Sequence, residues 1–353
     1  MKKEKYYFLI NSLEAWWAER ATVNFSNDLI KKWKEVYIIT LKSERFYNLP
    51  KWANHIKLSK IKNNFLLFLL IPIYCIRFKK ILRKNHLKEG MSLLEISNFI
   101  HILSKKHATI SFRTNMIFFR WFKWLLQRIL IKLLYPRAKK IITNSKENSY
   151  DLTKYLKISE NKIQVIYNKI NKNEFDKLKR ERIDKNLAKE IKNKNVFITV
   201  GRLIKQKHHN KIIIALKKIN EELNKNWIYL IVWDWPERKN LEKLSHKLWL
   251  KNKIIFLWQQ KNVFKHLNIA DIFLYASEVE WFPNVLLEAK EMWLPIITSD
   301  FKSGAKEIIL WEYNKKIWEK IRYPYEWKYG YLIDINNYKS HLIKAFNLLK
   351  TKI

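Results

Sequence analysis

The chain has 353 residues, 48% of them hydrophobic, with 70 Lys and Arg against 32 Asp and Glu and a formal net charge of +38. That apolar content excludes a disordered chain, and the length exceeds one ordinary core, so two domains are expected. The single cysteine, Cys75, excludes an intrachain disulfide and a cysteine-based zinc site and fits a reducing cytoplasm.

The opening Met1-Lys2-Lys3-Glu4-Lys5 leads into an apolar stretch of only about five residues, too short for a secretory signal. Strands are predicted at 7–10, 36–40, 56–59, 91–96, 108–112, 140–144 and 164–167, with helical patterns at 18–32 and 146–156. The second half predicts strands at 196–200, 228–232, 254–257, 272–276, 296–299 and 331–334. Helices are predicted there at 210–223, 237–248, 284–292 and 338–349. Strands alternating with helices imply parallel, doubly wound sheets. The charged stretch 171–195 reads as a linker plus a surface helix, which places a domain boundary at 168/169. Two Rossmann-like domains would then face a cleft at the carboxyl ends of their strands.

The positive charge and aromatic content at first read as a nucleic-acid binder. The lysines, however, are spread along the whole chain among Asn and Ile, as AT-rich codon bias would produce. An anionic membrane surface fits the charge better. The apolar run 65–76, with Pro72 inside and Arg77-Phe78-Lys79-Lys80 behind it, is too short to span a bilayer. Segment 118–132 mixes apolar and basic residues at helical spacing and could lie among headgroups; it could equally be a core helix with a basic outer face.

The chain has 16 Trp and only 4 Gly, where average usage would give roughly 25 Gly. Trp33, Trp249 and Trp293 each end a helical pattern just before a strand, where Gly is the usual stop. Trp233 and Trp235 stand in the turn after strand 228–232. The expectation is a gene in which UGA encodes glycine, read here as tryptophan. Trp52, Trp121, Trp124 and Trp227 are outside that argument.

Three segments carry chemistry. Glu280-Trp281-Phe282-Pro283-Asn284-Val285-Leu286-Leu287-Glu288 places two carboxylates on either side of a turn into a helix. With Pro283 in the first helical turn, the amides of Asn284, Val285 and Leu286 would point outward as an anion site. Glu288 could accept from ribose hydroxyls and Glu280 from sugar hydroxyls. A carboxylate pair is otherwise usually a solvated face. Val200-Gly201-Arg202-Leu203-Ile204-Lys205-Gln206-Lys207 follows a strand. Arg202 offers a phosphate-matching fork and Lys207 a point charge, together able to neutralise a departing diphosphate. The loop Glu14-Ala15-Trp16-Trp17-Ala18-Glu19-Arg20, read as Gly-Gly, would let backbone approach phosphate or sugar.

With glycine at 16, 17, 233, 235, 258, 281 and 293, these segments resemble retaining glycosyltransferases of GT-B fold, the glycosyl transferases group 1 with a Glu-x7-Glu motif. The resemblance covers most of the chain. It implies that Arg202 and Lys207 hold the donor diphosphate, Glu288 the ribose and Glu280 the donor sugar, with Arg202, Lys207 and Glu280 catalytic. It implies donor contacts from Trp16, Trp17, Phe282, Asn284, Val285 and Leu286, with Trp258 and Gln260 beside the nucleobase. No metal and no cofactor are expected. The implied reaction moves a hexose or N-acetylhexosamine, with retention, from a nucleotide diphosphate sugar, UDP-linked, to a lipid-linked or polysaccharide acceptor. The implied location is cytoplasmic, peripheral on the inner face of the membrane.

The stretch Lys302-Ser303-Gly304-Ala305-Lys306-Glu307 resembles a Ser-Gly-Pro-Arg-Glu loop of members that act on amino sugars. Lys290-Glu291-Met292 and His208 depart from the family's small residues; family members usually continue with a helix that returns to the first domain, so the chain reads either as a fragment or as an unusually short member. In the first half, His101, His107 and Arg113 are candidate site residues; either histidine could instead be a packing or surface residue. The competing class is a non-catalytic basic protein on membrane or nucleic acid, which would spread its cations and Trp over a convex face.

Overall fold

A computed structural model describes residues 3–13, 17–42, 49–59, 61, 63–113, 125–223, 226–234, 236–280, 282–302, 304–310, 319, 321–328 and 330–350. The chain forms two compact units, Met1–Asn168 and Lys169–Ile353.

The first unit runs β1 (Lys5–Ile10), α1 (Trp17–Lys31), β2 (Glu35–Thr40), β3 (Ala53–Lys57), α2 (Asn64–Leu69), α3 (Ile71–Lys84), β4 (Glu89–Leu93), α4 (Glu95–Ser104), β5 (Thr109–Phe112), α5 (Leu125–Leu134), β6 (Lys140–Thr143), α6 (Lys146–Leu156) and β7 (Ile163–Val165). Its seven strands pair in the order β3-β2-β1-β4-β5-β6-β7, all parallel. The order reverses between β1 and β4, a topological switch point. Near-continuous apolar runs make these strands because both faces are covered: Tyr7, Phe8, Leu9 and Ile10 are all buried. One layer of core holds Tyr7, Leu9, Ile39, Phe99, Ile110 and Tyr135; the other holds Phe8, Ile10, Ile38 and Leu93.

The second unit runs α7 (Lys172–Leu178), α8 (Lys185–Ile191), β8 (Asn195–Val200), α9 (His209–Leu223), β9 (Trp227–Val232), α10 (Arg238–Lys247), β10 (Ile254–Leu257), α11 (Phe264–Leu267), β11 (Ile272–Tyr275), α12 (Asn284–Glu291), β12 (Ile296–Ser299), α13 (Ala305–Ile309), β13 (Tyr325–Trp327), β14 (Gly330–Ile333) and α14 (Tyr338–Lys350). The strand order is β10-β9-β8-β11-β12-β14-β13, parallel except for the β13–β14 pair. Here the order reverses between β8 and β11.

The differences from the predicted elements have local causes. The strand expected at 91–96 stops at Leu93, because Leu94 turns to φ 72° and α4 begins at Glu95, an acid suited to a first helical turn. The strand expected at 56–59 is Ala53–Lys57. The three-residue edge strand β13 has no apolar run to announce it. Segment 171–195 holds two short helices rather than one. Segment 118–132 is described only from α5 onward, so residues 118–124 of the amphipathic stretch lie outside the described residues.

Three helix ends share one geometry. Trp33, Trp249 and Trp293 all have φ 60°. Each donates its amide to the carbonyl three residues back (Ile30, His246, Lys290) at 2.9–3.0 Å, and the next residue donates five back (Leu29, Ser245, Ala289) at 2.9–3.1 Å. This is the Schellman arrangement, in which the left-handed residue is normally glycine. The three indoles are 76–88% exposed and stabilise no core. Trp233 has φ 150°. Trp227 behaves differently: it is buried, stacks on Phe197 and donates Nε1–H to Asn220 at 3.1 Å. It is a working core residue.

Candidate active site

Two loops at the switch point of the second sheet are stitched together. The loop after β8 begins at Gly201, whose φ of 157° favours glycine; an added Cβ would approach the Tyr275 ring to only 3.8 Å, an ordinary contact. The following 3-10 turn, Lys205–Lys207, is tied to the loop after β11. Gln206 donates Nε2–H to the Val279 carbonyl at 2.6 Å, and the Glu278 amide donates to the Gln206 carbonyl at 3.0 Å. His208, in left-handed conformation, lies 3.3 Å from Glu278.

This stitching brings Lys207 onto Glu280. The Lys207 ammonium contacts Glu280 Oε1 and donates to Tyr275 Oη at 2.8 Å; Tyr275 Oη donates to the same Oε1 at 2.5 Å. Lys207 and Tyr275 are buried and Glu280 is largely so. Burial pushes the Lys207 pKa down, and the Glu280 carboxylate opposes that shift. Arg202 is lowered by burial too, and opposed by Glu280 and then Tyr275. Burial, then Glu280, drives the Tyr275 phenol well up, so it stays a neutral donor. The structure therefore joins Arg202, Lys207 and Glu280 electrostatically and adds Tyr275, which the sequence reading did not single out. Its only signal there was a polar aromatic ending β11, five residues before Glu280.

Glu288 is buried one turn into α12. Pro283 is the N-cap of α12 rather than a residue of its first turn, and the Leu286 amide donates to the Pro283 carbonyl at 3.2 Å. The expectation of three outward amides is corrected: Leu286 is engaged within the turn. Asn284 opens the helix and Val285 is buried. Phe282 is buried at φ 124°, and a Cβ on Gly304 would come within 2.7 Å of its ring, which explains glycine there.

Trp258 is 63% exposed and lies over the Arg238 guanidinium at 4.4 Å; Gln260 donates to its carbonyl at 3.2 Å. Trp233, Asp234, Trp258 and Gln259 line a pocket of about 550 Å³ past the ends of β9 and β10. Trp17 opens α1, while Trp16 and Trp281 lie outside the described residues.

Of the first-half candidates, His101 is a core residue. It bonds Tyr7 Oη at 2.8 Å and Ser92 Oγ at 3.0 Å, and burial pushes its pKa down to about 3. His107 is exposed on a turn. Arg113 is buried at the end of β5. Among the described residues, no group of three or more His, Cys, Asp and Glu is placed to hold a metal ion.

The family model "Glycosyl transferases group 1" matches residues 179–320. A Campylobacter jejuni protein is 30% identical over 316 residues, spanning 86% of this chain and 83% of that relative. It is N-acetylgalactosamine-N,N'-diacetylbacillosaminyl-diphospho-undecaprenol 4-alpha-N-acetylgalactosaminyltransferase. An uncharacterized glycosyltransferase of Methanocaldococcus jannaschii is 34% identical over 201 residues; the match spans 57% of this chain and about half, 49%, of that relative. The crystal structure of Anabaena HepE in complex with UDP superposes with a TM-score of 0.69 at 14% identity, over 98% of this chain and 89% of that one. The chain belongs to the glycosyl transferases group 1, and its two parallel-sheet α/β units are those of the GT-B fold.

Proposed function

We propose that this glycosyltransferase moves an N-acetylhexosamine or hexose from a UDP-sugar to a hydroxyl of a lipid-linked glycan, with retention and without a metal. The observation that supports this most is the Arg202–Lys207–Tyr275–Glu280 cluster at the switch point of the second sheet. Lys207 is buried against Glu280, and Arg202 feels the same carboxylate, so both cations are held in place to take the charge of a departing diphosphate. In this reading the second unit, 169–353, binds the nucleotide sugar and the first, 1–168, the acceptor.

Arg202 and Lys207 hold the diphosphate, Glu288 the ribose, and Glu280 the sugar hydroxyls. The pocket beside Trp258 and Gln260 receives the base. Phe282, Asn284, Val285 and Leu286 shape the sugar and phosphate side. The bond from the anomeric carbon to the diphosphate oxygen breaks while the acceptor oxygen adds on the same face; the acceptor proton passes to the departing diphosphate. The relative's diphospho-undecaprenol acceptor and amino-sugar donor guide the choice of substrates.

The acceptor reading includes peripheral contact with an anionic bilayer from the inner face. Phe65, Leu66, Leu69, Ile73 and Ile76 stand 45–70% exposed along α2 and α3. Between Glu44 and Glu89 the sequence holds eleven Lys and Arg and no Asp or Glu. An apolar ridge flanked only by cations matches an anionic membrane surface better than a polyanionic nucleic acid. Among the described residues, no helix is long and apolar enough to cross a membrane.

We also propose that Trp16, Trp17, Trp233, Trp235, Trp258, Trp281 and Trp293 are glycine in the native protein, as UGA codons read as glycine would make them. The repeated φ of 60° at Trp33, Trp249 and Trp293 supports this.

The test is a panel of nucleotide sugars with a short prenyl-diphosphate glycan acceptor. The expected result is release of UDP with α-retained product in chelator. Turnover lost in chelator, or an inverted product, would overturn the mechanism.

A further inference from the structure

Among the described residues, a buried cation in the first unit has no anion within ion-pair distance. Arg113 directly follows β5, whose last residue, Phe112, pairs with Thr143 of β6. It therefore stands at the carboxyl edge of the sheet, two strands from β1 and the switch point. Arg113 is 5% exposed. Its Nε–H donates to Ser111 Oγ at 3.0 Å and an Nη1–H to Asn168 Oδ1 at 2.8 Å, and its guanidinium lies 5.7 Å from the centre of the Phe25 ring. Nη2 is buried and has no hydrogen-bond partner. Burial alone lowers its pKa, to about 10, so the group stays charged at neutral pH.

Neutral partners on two edges and an aromatic ring against its face fix the fork without neutralising it. Burying an unpaired charge and an unpaired donor is costly, and folded proteins rarely tolerate both. The other buried cation described above, Lys207, sits on a carboxylate. Arginine's rigid fork matches phosphate oxygens in particular, and the carboxyl edge of a parallel sheet beside its switch point is where such folds take ligands.

We propose that Arg113 anchors a second oxyanion site, in the first unit, that takes a phosphate or diphosphate group through Nη2. Its residues belong to the first unit, whereas the donor-diphosphate cations Arg202 and Lys207 belong to the second. The group belongs either to the acceptor or to the nucleotide, two sources of one chemistry.

The test uses the full-length chain carrying Arg202→Ala, so that the second unit's cations are weakened, and inorganic diphosphate followed by calorimetry. Binding should persist in that variant and weaken about tenfold or more when Arg113→Gln is added, as loss of a charge-assisted hydrogen bond implies. Arg113→Lys, which keeps the charge and most of the volume, should weaken it less, and serves if the glutamine variant fails to fold. Equal binding with and without Arg113 overturns the site. In transfer assays of the glycine-bearing chain, a raised KM for a prenyl-diphosphate acceptor assigns the group to the acceptor, and a raised KM for the UDP-sugar assigns it to the donor. A change in neither KM overturns the proposal. Diphosphate binding without any sugar transfer would leave this site standing and sink the transferase mechanism instead.

Discussion

Tyr275 donates its phenol proton, at 2.5 Å, to the same Glu280 oxygen that Lys207 contacts. One carboxylate oxygen thus receives a neutral and a charged donor, which fixes the position of the carboxylate. Tyr275→Phe should loosen Glu280 without removing any charge, lowering kcat about tenfold. Glu280→Gln should cost roughly a hundredfold or more, because it removes the counter-charge of the buried Lys207 and of Arg202. Steady-state kinetics of both variants checks the order. A Tyr275→Phe enzyme indistinguishable from the parent would mean the phenol is only packing.

The alkaline limb of donor binding should report Lys207. Burial lowers its pKa and Glu280 only opposes the shift, so the ammonium loses its proton at lower pH than an ordinary lysine. Loss of that proton removes a charge from the diphosphate site, so KM for the UDP-sugar should rise as pH rises. Lys207→Arg, whose guanidinium does not titrate in this range, should move the rise to higher pH. A limb that stays put in the arginine variant would assign it elsewhere.

Acid should loosen both units through neutral buried histidines. His101 is held down to about 3 and His209 to about 4, each mainly by burial. His209 donates Nε2–H to the Arg202 carbonyl at 3.2 Å, so it supports the donor loop as well. Both values lie below the ordinary 6.5, so the unfolded chain binds more protons between. The stability is present above about pH 6.5 and is lost as pH falls toward the folded values, by up to about 1.4 kcal/mol per pH unit for each group. Urea midpoints between pH 7.5 and 5 measure this. His101→Gln should flatten the slope, and an unchanged slope would show that other groups carry it.

The apolar ridge predicts binding to anionic vesicles. Phe65→Ser and Ile76→Ser change residues 68% and 70% exposed, so the fold should survive them. Co-sedimentation with phosphatidylglycerol vesicles should fall with each substitution and with salt, and neutral vesicles should bind far less. Equal binding to neutral vesicles would leave the cations without a role.

Much of this was legible because parallel strands are runs of apolar residues with helices between, a pattern that survives an unusual composition. Ile254–Leu257 and Ile296–Ser299 have the predicted bounds, and α6 agrees to the residue. Arg202, Lys207 and Glu280 were legible as charges placed just after strands. Their coupling was not, because it depends on Gln206 and Glu278 stitching two loops that are 73 residues apart at Lys207 and Glu280. Tyr275 was hidden in an apolar run, where a phenol reads as core. β13 was hidden because three residues of an edge strand carry no period.

The helix ends give the sharpest test of the glycine reading. A side chain in the left-handed region costs roughly 1–2 kcal/mol, and Trp33, Trp249 and Trp293 incur it three times while 76–88% exposed. Leu250 and Leu294, the residues after two of these stops, are buried, so the turn cannot relax without uncovering core. Trp→Gly at these three positions should therefore raise stability by about 1 kcal/mol each. Trp227→Gly should do the opposite, emptying a stacked core site at a cost of several kcal/mol. Thermal melts of the four single variants separate the cases. In transfer assays, glycine at 16, 17 and 281 should give an active enzyme where tryptophan gives none. The intact mass of the protein made by its own host decides which residue is native, and tryptophan at 249 and 293 there would end the recoding proposal.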